Sequence, residues 1–259
     1  MESNQRKYNS DLLKGTGLIQ ETLVLLDVYR KGITKEEFTR EVIDSNSLGK
    51  EHENRIKDIV NHVFRRRYLD EGEETVLELK GLRTKYLPLE TLTQIFLIYT
   101  CRANLILFDF VADLFQRFIK EGNQQIPQTA ALNFIEEAIR DGRIEKKWAA
   151  STKKKVSEHM NACLIDFNIT DKSKNILPFF ITDYTINYWM HKLHFKGFSD
   201  DKIISSEEFR LFGLDKNEVI NHAKRISLAG HFIIQDAGEL VRITWKYQSM
   251  QSFIDGSNY

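Results

Sequence analysis

Proline occurs only three times in 259 residues, at positions 88, 127 and 178. Because an internal proline breaks a helix, most of this chain is free to form long helices. Apolar residues also recur at the three- to four-residue spacing of amphipathic helices. We therefore predict a mainly α-helical fold. The helices expected in the first part of the chain span 18–29, 34–44, 51–69, two segments between 88 and 120, 129–140 and 148–165.

A polar, turn-rich segment at 171–178 separates this part from a remainder of different character. Segments rich in polar and turn-forming residues commonly connect domains. We place a domain boundary there. The expected organisation is an all-helical domain at 1–170 and a smaller helical domain at 171–259.

The second domain contains the one convincing strand signal of the sequence. Two β-rich runs, 232–235 and 240–245, are joined by Asp236-Ala237-Gly238, which is typical of a short hairpin loop. Helices are predicted before them over 179–195, 207–212 and 215–229. Three helices followed by a hairpin is the order of a winged-helix domain. A three-helix bundle with an added hairpin gives the same pattern.

The formal net charge is zero, with 37 basic and 37 acidic residues. This balance argues against coating of nucleic acid by bulk charge, although a local basic face remains compatible with it. The two cysteines, Cys101 and Cys163, lie in apolar helical patterns, so we expect buried free thiols of a reducing cytoplasm. The most apolar stretch, 92–111, contains charged residues and is predicted to be core rather than a membrane span. A cytoplasmic protein without membrane contact is therefore expected.

No motif of a catalytic or cofactor site is complete in this sequence. Gly49-Lys50 lacks the other residues of a phosphate-binding loop, and Gly15-Thr16-Gly17 lacks the third glycine of a dinucleotide fingerprint. His191 and His194 could touch one metal ion from a single helix, but no further ligand follows at a metalloprotease spacing. We expect no enzymatic activity, no cofactor, no metal and no small-molecule substrate.

The predicted helix at 51–69 has an informative distribution of charge. A helical wheel places its core-facing stripe at Ile56, Ile59, Val60, Val63 and Phe64. Arg55 and Arg66 lie along one flank, Arg65 lies nearly opposite the core, and Arg67 points toward the apolar side. We therefore expect Arg67 to pack or pair internally. Arg55, Arg65 and Arg66 are the candidates for an external partner.

A second basic stretch lies between positions 143 and 155. Its candidates for phosphate contact are Lys146, Lys147, Lys153, Lys154 and Lys155, with only Glu145 among them as a counter-charge. Clusters of lysine and arginine neutralise phosphates without reading base sequence. A solvated helix face that binds nothing is the alternative interpretation of both basic stretches.

The predicted helix at 216–229 offers residue types that read DNA bases. Asn217, Asn221, Lys224 and Arg225 share its outward face. In a winged helix this third helix would enter the major groove, and Arg242 would lie on the wing. Glu218 on the same side favours the alternative of an ordinary amphipathic helix.

Three parts of the chain resemble one known family. They are the opening 8–18 (YNSDLLKGTGL), the segments 44–50, 55–56 and 64–69 (FRRRYL), and the C-terminal run 237–245. These stretches resemble the BrxA proteins of BREX bacteriophage-defence systems. The resemblance implies a small helical component that acts beside a methyltransferase, an ATPase and a phosphatase-like protein. It also implies double-stranded DNA binding and an N-terminal part similar to the antitermination factor NusB.

Two functions of different classes follow as expectations. The first is a non-enzymatic accessory factor that binds duplex DNA mainly through backbone contacts and associates with other BREX proteins. The second is an adaptor that holds BREX components without nucleic acid, with Tyr184, Tyr188, Trp189 and Phe198 as candidate anchors. Their helical spacing favours the core instead. RNA binding is a third option, which rests on the fold-level analogy with NusB alone.

Overall fold

The computed structural model describes residues 6–85, 87–238 and 240–257, and these residues are mainly helical. The first helices are α1 (Ile19–Val28), α2 (Lys35–Asp44), α3 (Glu53–Asp58), α4 (Glu73–Thr84) and α5 (Leu89–Ala103). The next are α6 (Leu105–Asp109), α7 (Gln116–Lys120), α8 (Ala130–Arg140) and α9 (Ala150–Asp166). The last are α10 (Asp183–Phe195), α11 (Asp200–Ile204), α12 (Lys216–Leu228) and α13 (Met250–Gly256). Strands β1 (Phe232–Ala237) and β2 (Leu240–Trp245) form an antiparallel hairpin, which confirms the predicted fold class.

The chain forms two compact units. The first unit comprises Met1–Lys80 with Phe96–Phe179, and the second comprises Gly81–Ile95 with Phe180–Tyr259. The end of α4 and the start of α5 therefore belong to the second unit, which the sequence does not reveal. The predicted domains, 1–170 and 171–259, are expected to fold independently, and this stays a prediction.

Capping residues define the starts of α2 and α12, close to the predicted helix bounds at 34 and 215. Thr34 accepts a hydrogen bond from the backbone of Glu37, and the Glu37 side chain accepts one from the backbone of Thr34. Asp215 and Glu218 form the same reciprocal box at the start of α12. Such boxes satisfy backbone N–H groups that a helix start leaves free. Gly230 follows α12 with a φ of 77°, a left-handed conformation that glycine adopts without strain.

The predicted helix at 51–69 begins at Glu53, and its turns are π-helical over Ile59–Leu69. We call this continuous segment, 53–69, the arginine helix. Its predicted inward stripe is fully buried: Ile56, Ile59, Val60, Val63 and Phe64. Aromatic rings extend the core of the first unit from it, with Phe64 against Tyr68 at 5.3 Å and Tyr68 against Phe96 at 5.9 Å between ring centroids. The helical period of the sequence therefore identifies this part of the core correctly.

The apolar middle of the chain is divided into separate helical segments, as the sequence predicts for 88–120. Asn104 separates α5 from α6, and π-helical turns over Phe110–Phe115 connect α6 to α7. Cys101 and Cys163 are buried and unbonded to each other. Burial raises the pKa of both thiols, that of Cys163 to about 12.

Within the described residues, no single helix is both long enough and apolar enough to cross a membrane. The consecutive segments Leu89–Ala103 and Leu105–Lys120 meet these criteria only as a pair, which is bent by 118°.

The second unit starts its main helix later than the sequence predicts. Helix α10 begins at Asp183 and not at Phe179, because Thr182 caps it by accepting a hydrogen bond from the backbone of Thr185. The Gln94 side chain holds the preceding segment extended, donating to the Phe180 carbonyl and accepting from the Thr182 N–H. These contacts replace the helical hydrogen bonds that the predicted first turn would need.

The hairpin follows the helices of the second unit in the predicted order. Phe232 pairs with Trp245 and Ala237 with Leu240 across the strands. One face of the hairpin is buried at Phe232, Val241 and Ile243, whereas the other face is exposed, as at Arg242 and Thr244. The short helix α11 and the terminal helix α13 have no counterpart in the predicted set. Assignment as a winged helix stays a prediction.

His191 lies at the centre of an aromatic cluster in this unit. Its ring stacks on Phe253 at 4.2 Å and meets the edge of Trp245 at 4.8 Å. Nδ1 bonds the Asn187 carbonyl at 2.8 Å, and Nε2 is buried without a hydrogen-bond partner among the described residues. Burial lowers the pKa of His191 from 6.5 to about 3, so the ring is neutral and belongs to the core.

The buried histidine predicts how stability changes with acid. The unfolded chain protonates His191 near pH 6.5, whereas the folded chain does so only near pH 3. The free energy of unfolding should therefore fall as the pH drops between these values, by up to about 1.4 kcal/mol per pH unit from this residue. His191→Phe removes this one protonation, so the free energy of unfolding should depend less steeply on pH. Urea unfolding between pH 7 and pH 4 measures this dependence. A variant with the same pH dependence as the natural chain would contradict this account.

Candidate functional site

Two of the three candidate arginines hold a segment of the chain itself. Residues Asp11–Lys14 form a 3-10 turn, which we call the N-terminal turn. Arg66 forms an ion pair with Asp11, and Arg55 Nη1 donates to the Lys14 carbonyl at 2.7 Å. The flank of the arginine helix that the wheel assigns to an external partner is thus occupied by the N-terminal turn. Whether Arg55 and Arg66 also touch a partner stays a prediction.

Arg65 is available at the surface. It is exposed, and its only ion pair among the described residues joins Nε to Asp70 Oδ1 at 3.2 Å. Exposed pairs of this kind contribute little to stability, because water screens them and ordering two long side chains costs entropy. Arg65 can therefore exchange Asp70 for an external anion at low cost.

Arg67 is the buried member of the arginine run, as the wheel predicts. Only 3% of the residue is exposed. Nη1 donates to the Gly17 carbonyl at 2.9 Å, and Nη2 donates to the carbonyls of Gly15 and Thr16 at 3.1 and 2.6 Å. We call this set of contacts the Arg67 clamp.

The clamp explains why the sequence has Gly-Thr-Gly at 15–17. A Cβ atom on Gly17 would lie 2.4 Å from the Cβ of Asp166, and one on Gly15 would lie 2.6 Å from Leu18 Cδ1. The Gly17 N–H also donates to Asp166 Oδ2 at 2.7 Å. Glycine thus allows the backbone to approach both the guanidinium and α9, and this motif is structural.

Four lysines of the second basic stretch are exposed. They form what we call the lysine cluster: Lys146, Lys147, Lys154 and Lys155. In the described parts of the chain, none of them is in ion-pair contact with an acidic side chain. Lysines without an internal counter-charge can bind an external anion without first losing a partner.

The other two cations of this stretch serve the fold. Lys153 pairs with Glu136 of α8 and is only 22% exposed in its side chain. Arg143 pairs with Asp141 at 2.7 Å, and its guanidinium lies 5.2 Å from the ring centroids of both Tyr8 and Phe134. Lys153 therefore has less access to a partner than its neighbours in the predicted set.

The start of α9 adds positive potential to the lysine cluster. Ala149 at the N-cap has no side-chain acceptor, and the first turn has no acidic residue. The first N–H groups of a helix have no intrahelical partner, and the helix dipole places partial positive charge there. Lys154 and Lys155 follow in the second turn, while Lys146 and Lys147 precede the helix.

Helix α12 presents its predicted face, but with its cations paired. Lys224 binds Asp236 at 2.8 Å, and Arg225 binds Asp183 at 2.9 Å. Burial alone would raise the pKa of Asp183, but the hydrogen bonds from Arg225 and His222 outweigh it and keep that pKa below its usual value. These pairs reduce the local positive charge that DNA would meet.

The two asparagines of α12 and the arginine of β2 that the sequence assigns to this surface are exposed. Asn217 and Asn221 are exposed on α12, and Arg242 is exposed on β2 opposite Gln235. None of the three has a hydrogen bond or ion pair from its side chain to another described residue. They stay candidates for base or phosphate contact.

The described residues contain no group of three or more His, Cys, Asp or Glu side chains placed to hold a metal ion.

The sequence model of the BrxA family matches residues 6–192. The chain belongs to the BrxA family. Membership implies a BREX-associated role. The range matched by the BrxA model contains the Arg67 clamp, the arginine helix and the lysine cluster, whereas α12 and the hairpin lie outside it.

A solved structure supports the fold of this BrxA family member. The crystal structure of an uncharacterized protein from Magnetospirillum magneticum matches with a TM-score of 0.61 and 14% sequence identity. The match covers 80% of this chain and 98% of that protein. At this identity the likeness concerns the fold alone. No curated protein matches the chain significantly.

The clamp predicts a large difference between neighbouring arginines. Arg67→Met leaves the carbonyls of Gly15, Thr16 and Gly17 buried without their donor, so we expect a loss of about 3 kcal/mol in the free energy of unfolding. Arg65→Met removes only an exposed pair and should cost less than about 1 kcal/mol. Urea unfolding monitored by circular dichroism measures both. Equal losses in the two variants would show that the clamp does not stabilise the fold.

Proposed function

We propose that this chain is a non-enzymatic accessory component of a BREX system that binds duplex DNA mainly through the phosphate backbone. The observation that carries the proposal is the lysine cluster, with four exposed cations that have no internal counter-charge among the described residues. Family membership supports the BREX context. The absence of a complete catalytic motif in the sequence supports a non-enzymatic role.

Phosphate is the chemistry that best fits the lysine cluster. Lysine is a compact cation that binds a phosphate as a point charge, without the planar geometry needed to read a base. The open N–H groups at the start of α9 suit the same anion. Because the net charge of the whole chain is zero, affinity for DNA should come from this local surface.

We expect only a weak preference for DNA sequence, because the cations of α12 are paired within the chain whereas those of the lysine cluster are not. Lys224 and Arg225 would have to leave Asp236 and Asp183 before contacting DNA. Asn217, Asn221 and Arg242 remain available for additional contacts. We therefore assign α12 and the hairpin a supporting role, with the backbone contacts of the first unit dominant.

The proposal is tested by measuring the affinity for a duplex of about 25 base pairs at a series of salt concentrations, with fluorescence anisotropy as the readout. Replacing all four residues of the lysine cluster by alanine should weaken binding at least ~10-fold, and should reduce the slope of log K against log salt by up to about 3.6. The physical reason is the loss of four phosphate contacts and of the counterions that they release.

The matched control removes four other exposed lysines of the same unit: Lys31, Lys35, Lys120 and Lys172. This control changes the net charge by the same amount and should keep most of the affinity. Equal losses in both variants would mean that binding follows total charge, and the lysine cluster would not be the site. Absence of binding by the natural chain at low salt would overturn DNA binding altogether.

An adaptor function is the second candidate, favoured by exposed apolar side chains in the second unit. Phe180 is 78% exposed and Leu228 is 90% exposed. Of the anchors expected from the sequence, Phe198 is exposed, whereas Tyr184, Tyr188 and Trp189 are buried in the core. Co-precipitation with the other BREX proteins, with and without nuclease, separates the two functions. Complexes that survive nuclease favour the adaptor, and competition between duplex DNA and RNA tests the RNA alternative.

A further inference from the structure

Lys153 differs from the two lysines that follow it on α9. Its Nζ lies 2.5 Å from Glu136 Oε1 on α8, and its side chain is 22% exposed. Lys154 and Lys155 are exposed and form no ion pair with an acidic side chain of the described residues. One cation at the edge of the lysine cluster is therefore neutralised within the chain.

The helical period of α9 explains this difference. Val156 and Met160 are buried, three and seven positions after Lys153, so Lys153 lies on the same stripe of the helix. The two lysines after it are turned away from that stripe by about 100° and 200°. Helix α8 packs against α9, and the Lys153 side chain reaches Glu136 across this contact.

The ion pair between Lys153 and Glu136 can be exchanged for another. The Glu136 side chain is 46% exposed, so water reaches the pair. Such a pair contributes little to stability, because screening by water offsets the attraction. The flexible four-carbon stem of lysine allows its ammonium group to move to a second anion nearby. A DNA phosphate can therefore compete with Glu136 for Lys153 at low cost.

Glu137, the next residue on α8, does not hold a lysine. Its side chain is 55% exposed and lies 3.9 Å from Arg140 of the same helix. Glu145, which precedes the lysine cluster, pairs with Lys7 outside α9 at 3.4 Å. Among the ion pairs of the described residues, Glu136 is thus the acidic partner of a cation on α9.

We propose that Glu136 limits the affinity of this surface for DNA by holding Lys153 away from the phosphate backbone. Removing the charge of Glu136 gives the surface a fifth cation beside the four of the lysine cluster. The inference rests on the proposed function, because it concerns the same surface. It assigns control of DNA affinity to a residue of α8 that lies outside both basic stretches of the sequence.

The salt dependence of binding to the same duplex tests the proposal in four proteins: the natural chain, Glu136→Gln, Lys153→Gln and the double variant. Glu136→Gln should tighten binding at least ~3-fold at about 0.1 M salt and steepen the slope of log K against log salt by up to about 0.9, because one more phosphate contact releases counterions. Lys153→Gln should leave the slope of the natural chain unchanged, since Lys153 contacts no phosphate there. In the Glu136→Gln background, the same substitution should remove the added slope.

Glu137→Gln is the matched control, because it removes the same charge from the next position of α8. It should leave the slope unchanged, and circular dichroism checks that every variant folds. An unchanged slope in Glu136→Gln would overturn the proposal. Equal loss of slope on Lys153→Gln in both backgrounds would also overturn it, since Lys153 would then contact DNA despite Glu136. Absence of binding by the natural chain would instead overturn the proposed function, and this inference with it.

Discussion

The buried guanidinium of Arg67 fixes the N-terminal segment to the first unit. Three consecutive backbone carbonyls, at positions 15–17, depend on it for their hydrogen bonds. The same segment reaches α9, where Asp166 accepts from the Gly17 N–H and His159 bonds the Leu12 carbonyl at 2.9 Å. The arginine helix and α9 are thus joined through this segment. Helix α9 also carries half of the lysine cluster, so the contact that stabilises the fold also positions the candidate surface.

The basic residues of the first unit divide between structure and surface. The planar guanidinium of arginine can donate several hydrogen bonds at once. Arg55, Arg66 and Arg67 use it to bind carbonyls and a carboxylate of the chain itself. Four exposed lysines without an ion pair to a described residue lie around the start of α9. This division explains how a chain with no net charge can still offer an anionic polymer one favourable surface. It also separates the proposed backbone contacts from the paired face of α12.

Much of the fold could be predicted from local patterns, whereas the partners of the charged residues could not. The helical period of the sequence at 53–69 correctly predicts that Ile56 and Arg67 face the core. The starts of α2 and α12 are set by local capping boxes at Thr34 and Asp215. The ion pair of Arg66 with Asp11 joins residues 55 positions apart, and the contact of Gln94 with Thr182 spans 88 positions. One sequence contains no local signal for such contacts.

The central claim is that the lysine cluster and the start of α9 form the DNA-contacting surface. Hydrogen-exchange mass spectrometry of the full chain, with and without a saturating DNA duplex, measures this contact directly. The account predicts that DNA slows exchange in peptides covering 145–156, where the open N–H groups at the start of α9 lie. Slower exchange confined to peptides covering 216–246, with no change at 145–156, would contradict it.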